Sequence, residues 1–327
     1  MNILRAVLLV GLCLGGWISR AKGEAPGFQT STAASVLVCG GSMMNGDRFA
    51  DSVLASMREH YAGRTAIALI LHASHPTERD AMELRLQKAF AHLLGASVKA
   101  ESLHRRDAAG AQELLRKADA FFVGGGETFV LLGELQRTGQ LELIRARVLL
   151  GVPYGGSSAG ANVAGLRIGT TNDFPTAEVV SRAALAIFPT VINPHHPAAT
   201  PAAKGEFDAR VGKLKTYLKF NPEEIVLGLG NTSIARLHGG EVTLAVGRGW
   251  IYRVAGGREL TVGEGVREGQ AVVEGEPEAD AEDAPRAKAP PPLGAVSGGE
   301  GVGPVDTLPL PDAVGAAEAV LVTLLLP

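Results

Sequence analysis

The chain has 327 residues, an apolar fraction of 46% and a formal net charge of −3. A chain of this length can bury a sizeable core in one domain without help from cross-links. A net charge so close to zero gives no reason to expect a nucleic acid or an anionic membrane as a partner.

The N-terminal residues have the pattern of a secretory signal peptide. Arg5 precedes an apolar run from Ala6 to Trp17, and the small-residue site Ala21-Lys22-Gly23 follows. The run is shorter than the roughly 20 residues that span a bilayer, so we expect cleavage near Gly23 rather than a stable membrane span. An uncleaved anchor is the alternative. Export to the periplasm or the extracellular space is therefore predicted, and it would leave Cys39 as the single cysteine, without an internal disulfide.

Residues 24–273 are predicted to form one α/β domain, because short apolar runs alternate with amphipathic segments. Such runs are typical of parallel strands that are buried on both faces. Pro76 suits the first position of a helix. The order predicts a doubly wound, mostly parallel sheet with flanking helices and its site at the carboxyl ends of the strands. The predicted strands are Val36–Cys39, Ala66–Leu71, Ala118–Val123 and Val148–Pro153, and the predicted helices contain Phe49, Val53 and Met57, then Met82, Leu86, Ala89, Phe90 and Leu93, and then Phe129, Leu132 and Leu135.

The pattern changes after about residue 222. Four short strands, with a hairpin turn at His238–Glu241, are expected to finish the sheet or to add an antiparallel edge. Residues 274–311 are rich in proline, glycine and acidic residues and are predicted to be disordered. Residues 312–327 are apolar but too few to cross a bilayer as a helix. The four strands are Ile225–Leu229, Ser233–Leu237, Val242–Val246 and Trp250–Val254.

The segment Gly156-Ser157-Ser158-Ala159-Gly160 fits G-x-S-x-G, the nucleophile elbow. It follows a predicted strand and precedes a segment that suits a helix start. A nucleophile on such a sharp turn needs small neighbours, so Ser158 is the candidate nucleophile. Small residues are also common at strand-to-helix turns for packing reasons alone, which is the competing interpretation.

Two further segments offer the base and the oxyanion donors that a nucleophilic serine needs. Gly124-Gly125-Gly126 lies between a strand and a helix, where free backbone N–H groups point out of the sheet edge. A phosphate cradle is the alternative there. His195 and His196 follow the strand-like Ala186–Ile192, although such a histidine pair could equally be structural.

Together these segments resemble the S51 family of serine peptidases, which contains peptidase E-type aspartyl dipeptidases and cyanophycinases. The resemblance covers roughly residues 35–250 and implies a fold like the class I glutamine amidotransferases, with serine in place of their cysteine. The matching text is Gly124-Gly125-Gly126-x-Thr128-Phe129, Gly156-x-Ser158-Ala159-Gly160-Ala161-Asn162, Thr170-Thr171-Asn172-Asp173-x-Pro175 and Ile192-Asn193-Pro194-His195.

The resemblance implies Ser158 as nucleophile, His195 as general base, and the N–H groups of Gly126 and Ala159 as the oxyanion hole. It also places Glu127, Asn172 and Asp173 beside the substrate, where Asp173 could hold a substrate amine or merely cap a loop. His196 would be a neighbour at the rim. The implied activity is hydrolysis of dipeptides or short peptides through an acyl-enzyme.

Two positions depart from the family pattern. Asn231 stands where the family has the glutamate that orients its histidine; an amide can fix the imidazole tautomer but supplies no negative charge. Asp173 or Glu206 could substitute for it. In the family an arginine soon after this triplet is the clamp for the anionic substrate side chain. After Lys204-Gly205-Glu206, Arg210 is the arginine left nearby for that role, so a preference for N-terminal aspartate is in question.

No cofactor is expected, and the histidines His72, His75, His195 and His196 do not have a diagnostic metal-ligand spacing. We expect a monomer or a homodimer that acts on a peptide substrate. The alternatives are a cyanophycinase-like activity on an aspartate–arginine polymer, a binding module of low activity because of Asn231, and an α/β-hydrolase esterase using His238.

Overall fold

The computed structural model of the chain describes residues 31–266, which form fourteen strands and seven α-helices. The strands are β1 Ser35–Cys39, β2 Met44–Asn45, β3 Arg48–Phe49, β4 Ala66–Ile70, β5 Lys99–Ser102, β6 Ala120–Val123, β7 Tyr154–Ser157, β8 Val191–Asn193, β9 Val226–Leu229, β10 Ile234–His238, β11 Glu241–Val246, β12 Gly249–Arg253, β13 Gly256–Leu260 and β14 Gly265–Val266. The helices are α1 Asp51–His60, α2 Arg79–Leu94, α3 Ala108–Lys117, α4 Thr128–Arg137, α5 Gln140–Leu149, α6 Ala159–Ala164 and α7 Lys204–Phe220.

The main sheet has eight strands in the order β14-β11-β10-β1-β7-β6-β4-β5. The neighbouring strands β1, β7, β6, β4 and β5 pair in parallel. The strands β10, β11 and β14 continue the sheet on the other side of β1 in antiparallel pairing. This arrangement confirms the predicted α/β class, with a mostly parallel centre and an antiparallel edge toward the C-terminus. The carboxyl ends of β1, β6 and β7 therefore lie side by side.

Helices cover both faces of this sheet, which explains why its central strands β1, β4 and β6 are largely apolar rather than alternating. In β1, Val36 and Val38 pack into one buried cluster, while Leu37 and Cys39 pack into another on the opposite face. The first cluster includes apolar residues of α3, α4, α5 and α6, and the second includes those of α1 and α2. Successive side chains of a strand point to opposite faces, so both sets are buried.

A second, four-stranded sheet has the order β13-β12-β9-β8. The strands β8 and β9 pair in parallel, and β12 and β13 continue antiparallel. Leu214 and Leu218 of α7 pack against it beside Trp250. The prediction that all strands after residue 222 would join the main sheet is thus wrong for β9 and β12. The apolar runs of both sheets read alike in sequence, and the partner of each strand is chosen by tertiary packing.

The strand predicted at Val148–Pro153 is also wrong, since Val148 and Leu149 end α5 and the strand is β7. The apolar residues Leu141, Ile144 and Val148 recur at helical spacing and are buried. The strand itself contains Gly155 because the Tyr61 hydroxyl lies where a side chain would be: a Cβ at Gly155 would sit 2.1 Å from it. A glycine-rich strand gives little apolar signal.

Other sequence predictions agree with the structure in part. The hairpin at His238–Glu241 joins β10 to β11 through Gly239 and Gly240, both at positive φ. The strand predicted at Ala186–Ile192 shortens to β8, and Ala186 itself has a φ of +49°.

The proposed signal peptide (1–23), the linker (274–311) and the apolar tail (312–327) lie outside the described residues. Within residues 31–266 we find no helix of the length and apolarity that a membrane crossing requires.

Candidate active site

Three side chains from three loops at the carboxyl ends of the strands form a hydrogen-bonded chain. Ser158 Oγ lies 2.7 Å from His195 Nε2, and His195 Nδ1 lies 2.6 Å from Asn231 Oδ1. An amide oxygen can only accept, so the neutral ring carries its proton on Nδ1 and leaves Nε2 free to accept from the serine hydroxyl. Such an arrangement can serve a serine nucleophile and its general base.

Ser158 occupies the turn between β7 and α6 with φ 53° and ψ −112°, a conformation that non-glycine residues rarely adopt. Its N–H donates to Cys39 O at 3.0 Å, and its carbonyl accepts from Asn162 N at 2.9 Å. These bonds on both sides hold the strained turn. Such strain is typical of a nucleophile elbow, since it pushes the hydroxyl out from the backbone.

The two glycines of the elbow are required by close packing. A Cβ at Gly156 would lie 2.4 Å from Gly160 O, and a Cβ at Gly160 would lie 2.2 Å from Val123 O. Both contacts are with backbone oxygens, which a small side-chain movement cannot relieve. The elbow therefore fits against β6 only with glycine at both positions.

The end of β1 and the glycines after it, Gly40 and Gly41 (the β1 loop), bond the backbone of all three segments that carry the hydrogen-bonded side chains. No sequence pattern predicted this role. The consecutive carbonyls of Cys39, Gly40 and Gly41 accept from the backbone N–H groups of Ser158 (3.0 Å), His195 (2.9 Å) and Thr232 (2.8 Å). Thr232 directly follows Asn231, so one short loop fixes the serine, the histidine and the amide relative to one another. The available signal was a pair of glycines at the end of the first strand.

Gly41 also forms a floor under the imidazole of His195. With a φ of +138°, it suits glycine alone, and a Cβ there would lie 2.1 Å from His195 Cε1. The ring therefore rests directly on backbone. His195 itself has a positive φ of 52°. Its exposed ring is held from below by Gly41 and from its two nitrogens by Ser158 and Asn231.

Two backbone N–H groups near Ser158 are candidates for the oxyanion hole. Gly124 N donates to Ile70 O at 3.0 Å and Glu127 N to Ala73 O at 2.9 Å, whereas the described residues provide no acceptor for Gly126 N. Ala159 is the first residue of α6, so its N–H lacks an intrahelical acceptor. Gly126 has a φ of +131°, and a Cβ there would lie 2.3 Å from Ala73 O.

The residues predicted to lie beside the substrate next to Gly126 have partners within the fold. Asp173 Oδ2 accepts from Thr128 N at 2.8 Å and thus caps the start of α4. Glu127 is exposed, and its carboxylate accepts from the Thr176 hydroxyl at 3.2 Å. The geometry matches the loop-capping alternative for Asp173. Neither carboxylate is the partner of His195 Nδ1.

Asn172 and Arg210 bind the backbone of the segment that carries His195. Asn172 Nδ2 donates to Pro194 O at 2.9 Å, and Arg210 Nη1 donates to Asn193 Oδ1 at 2.9 Å and to Pro194 O and His195 O, both at 3.3 Å. Burial lowers the pKa of the half-buried Arg210 guanidinium. These contacts position the histidine loop, and a role in binding substrate stays a prediction for both residues.

His196 is buried rather than lying at the rim. Its ring stacks on Trp250 at 4.4 Å between centroids, its Nδ1 donates to Pro197 O at 2.9 Å, and Tyr252 Oη donates to its Nε2 at 2.9 Å. Burial lowers the pKa of His196 to about 4, so the ring is neutral near pH 7. It anchors the histidine loop to the second sheet instead of taking part in proton transfer.

Two cavities adjoin His195 and differ in chemistry. One, of about 230 Å³, contains Ser158 and Gly126. The other, of about 720 Å³, lies on the Asn231 side and is lined by three cations and one carboxylate. These charged residues are Arg210, Lys213, Arg248 and Glu206. The missing negative charge at position 231 is therefore not replaced by an excess of carboxylates nearby.

The histidines considered as metal ligands are not brought together. His72 Nε2 bonds Gln140 Oε1 at 2.9 Å, and His75 accepts from Thr77 N at the start of the short 3₁₀ turn that begins at Pro76. Both ring nitrogens of His195 bond protein atoms.

Among residues 31–266, Asp80, Glu83 and His104 could together offer three ligand atoms to a metal ion. The guanidinium of Arg105 pairs with both carboxylates of this group, at 3.0 Å from Asp80 Oδ1. Glu83 Oε1 also accepts from Ser102 N at 2.9 Å. The group therefore ties the end of β5 to α2.

The esterase alternative with His238 is not supported by the geometry. His238 pairs with Ser35 at the start of β1, whereas the elbow lies beyond Cys39 at the other end of that strand. The mostly parallel sheet with helices on both faces instead defines an α/β protein with a fold of the class I glutamine amidotransferase type. In line with this, the sequence profile of Peptidase family S51 matches residues 36–245, and the chain belongs to that family.

Similar proteins agree with this assignment. Peptidase E of Pasteurella multocida (strain Pm70) is 36% identical over 206 residues, which cover 62% of this chain and 85% of that protein. Peptidase E of Streptomyces coelicolor is 32% identical over 238 residues, covering 72% of this chain and 94% of that protein. A crystal structure of a peptidase from an acI-B1 Actinobacterium shares the fold, with a TM-score of 0.53 at 18% identity over 71% of this chain and 96% of that one.

We predict that His196 makes the protein sensitive to acid. An unfolded histidine binds a proton below about pH 6.5, whereas folded His196 stays neutral down to about pH 4. Its contribution to stability is therefore complete above pH 6.5 and falls by about 3 kcal/mol as the pH drops to 4. In urea unfolding, the advantage of wild type over His196→Gln should shrink by that amount between pH 7.5 and pH 4. The exposed His238→Gln serves as control, and an unchanged advantage would contradict the prediction.

Proposed function

We propose that the chain is an exported serine peptidase of the peptidase E type, which hydrolyses dipeptides or short peptides through an acyl-enzyme on Ser158. The observation that carries the proposal is the 2.7 Å contact between Ser158 Oγ, on a strained elbow, and His195 Nε2. Membership of family S51 supports peptide hydrolysis as the reaction class.

In the proposed mechanism, His195 Nε2 takes the Ser158 hydroxyl proton while Oγ attacks the scissile carbonyl carbon. The N–H groups of Gly126 and Ala159 donate to the oxygen on which negative charge develops. The imidazolium then gives its proton from Nε2 to the leaving amine, which departs as the acyl-enzyme forms. A water molecule then gives a proton to His195 Nε2 as its oxygen attacks the acyl carbon. The bond from that carbon to Ser158 Oγ breaks, Oγ takes the proton back from Nε2, and the acid product leaves.

Asn231 would orient the ring in this mechanism without stabilising its charged form. Its Oδ1 accepts the Nδ1 proton at 2.6 Å and so selects the tautomer in which Nε2 is a base. A carboxylate there would add an attraction to the imidazolium, which the neutral amide lacks. We therefore propose a competent geometry with a modest turnover.

The proposal predicts that a fluorophosphonate probe labels Ser158 and that Ser158→Ala abolishes both labelling and dipeptide hydrolysis. The loss of turnover should be at least about 10³-fold, as for other serine nucleophiles. Peptide mass spectrometry of the adduct identifies the residue, and a dipeptide panel measures the turnover. The exposed Ser97→Ala should behave as wild type. An unlabelled Ser158 would contradict the proposal and favour a binding protein without catalysis, the second candidate suggested by Asn231.

We predict that Asn231→Asp raises kcat/KM, because the isosteric carboxylate keeps the bond to His195 Nδ1 and adds a negative charge. The reverse change in a serine protease costs about 10⁴-fold, which sets the upper limit of the gain. A gain of about 10-fold or more in steady-state hydrolysis is expected. It must disappear in the double variant with Ser158→Ala. A lower kcat/KM for Asn231→Asp would show that the amide is the better partner here.

Export is proposed from the residues upstream of the fold and from the chemistry of Cys39. Beyond the predicted cleavage site near Gly23 it is the single cysteine, and it is buried. Burial raises the pKa of its thiol to about 12, so the group stays protonated and unreactive in an oxidising compartment.

On expression of the full chain in a bacterium, we expect the Ser158 adduct in the exported fraction, on a protein whose N-terminus lies near Gly23. Mass spectrometry of the intact protein measures this. Replacing Leu8 and Leu9 with Arg should retain the protein inside the cell in its unprocessed form, because it interrupts the apolar run. An uncleaved wild-type chain in the membrane fraction would contradict the proposal.

A further inference from the structure

The cavity that contains Ser158 has an apolar wall, whereas the resemblance to aspartyl dipeptidases implies an acidic guest. Besides the catalytic residues, its lining includes three methionines, a leucine and a phenylalanine. We propose that this cavity binds a large apolar side chain, such as leucine or methionine, on the residue whose carbonyl Ser158 attacks. This inference rests on the proposed function, from which it takes the substrate to be a peptide. The five apolar residues are Met43, Met44, Met82, Leu86 and Phe122.

The wall is part of the packed core rather than a loose surface. Met43, Leu86 and Phe122 are at most 3% exposed, and they belong to the buried cluster under α1 and α2. Met44 and Met82 are partly buried and pack against that cluster. Methionine is flexible and polarisable, so two such side chains at the cavity surface can adapt to an apolar guest. Burying an apolar side chain here gains the hydrophobic free energy at little cost in ordering the protein.

The hairpin that supplies Met44 is pinned to α2. Arg85 donates from Nε and Nη2 to Gly46 O at 3.2 and 3.0 Å, and Lys88 Nζ lies 2.7 Å from Asp47 Oδ2. Gly46 and Asp47 form the turn between β2 and β3. These contacts keep the hairpin against the helix, so the cavity between them is preformed.

Arg85 also lines this cavity, and its guanidinium defines the competing hypothesis of an acidic guest. Two of its donors already bond Gly46 O, so the guanidinium is engaged in holding the hairpin. A carboxylate placed among the methionines would lose hydration, and it would have only part of one guanidinium to replace it. The cations Arg210, Lys213 and Arg248 line the other cavity, whose lining does not include Ser158 or Gly126. The apolar guest is therefore favoured.

The direct test is binding to Ser158→Ala, which does not depend on turnover. We expect calorimetry to show that Leu-Ala and Met-Ala bind about 10-fold or more tightly than Ala-Ala and Asp-Ala, the range that a few buried methylenes provide. Equal or tighter binding of Asp-Ala, or no measurable binding of Leu-Ala, would overturn the inference. Loss of Asp-Ala binding in Arg85→Gln would then identify Arg85 as the residue that binds the acidic side chain of the substrate.

A matched pair of variants on α2 tests the wall itself. In the Ser158→Ala background, Met82→Glu places a charge in the cavity and should weaken Leu-Ala binding about 10-fold while favouring Lys-Ala. Leu84→Glu adds the same charge to the same helix at a residue that is 53% exposed and outside this lining, so it should change neither. Thermal unfolding of both variants checks that the fold is kept. Equal effects of the two substitutions would contradict a role for the wall.

Turnover separates this inference from the proposed function. If wild type hydrolyses Leu-Ala faster than Asp-Ala, both stand. If it hydrolyses Asp-Ala faster, the peptidase function stands and the apolar preference is wrong. If it hydrolyses no dipeptide while Ser158→Ala still prefers Leu-Ala, the apolar site stands and the proposed peptidase activity is wrong.

Discussion

The site depends on three successive backbone carbonyls at the end of β1. Those of Cys39, Gly40 and Gly41 accept from the backbone N–H groups of Ser158, His195 and Thr232, which come from three separate loops. A strand in the middle of a sheet is the most firmly held part of an α/β fold, because it is paired on both sides and buried on both faces. Because each loop is bonded to that strand, the side chains of the site are held as firmly as the strand itself.

The same three residues adopt positive φ values of 53°, 52° and 58°, although none is a glycine. Each such conformation costs of order 1–3 kcal/mol and persists only where the surroundings determine it. The carbonyls of the β1 loop supply that determination, because each strained residue donates to one of them. Each residue with a strained backbone is therefore also one whose N–H group is bonded to the end of β1 or to the glycines after it. Both glycines of the loop are needed for this, since a Cβ at Gly40 would lie 2.2 Å from Gly230 O.

The sequence was sufficient for the α/β class and for the serine, the histidine and the amide that the structure brings together, because each of these three side chains is marked by local chemistry. The glycine-flanked Ser158 and the loop of His195 are short patterns at strand ends. The role of the β1 loop could not be predicted from the sequence, because its hydrogen bonds use backbone carbonyl groups, which every residue has. Only the fold shows which carbonyls face which amides. The strand before the elbow was missed for a similar reason: its Gly155 is dictated by the distant Tyr61.

The residues predicted to touch substrate show the limit of transferring a role by position. Asn172 and Arg210 stand close to His195, as expected, but they bond the backbone that carries it and the side chain of the neighbouring Asn193. A polar side chain near a site can bind substrate or brace a loop, and the sequence pattern is the same for both. The distinction depends on where the donors point, which packing decides.

The features of the site that rest on backbone and those that rest on single side chains differ in how readily they change. The elbow, the β1 loop and the candidate oxyanion donors are built from main-chain groups and from glycines at which an added Cβ would lie only 2.1–2.4 Å from the nearest atom. Loss of any of them would disturb the packing of the sheet. Charge support for the imidazolium needs one carboxylate on an exposed loop, and exchanging it for Asn231 removes no packing. The hydrogen-bond geometry of the site can therefore be retained while the negative charge beside the histidine is lost. Asn231, which replaces the family's glutamate, is at a position where the packing of the fold does not require a particular side chain.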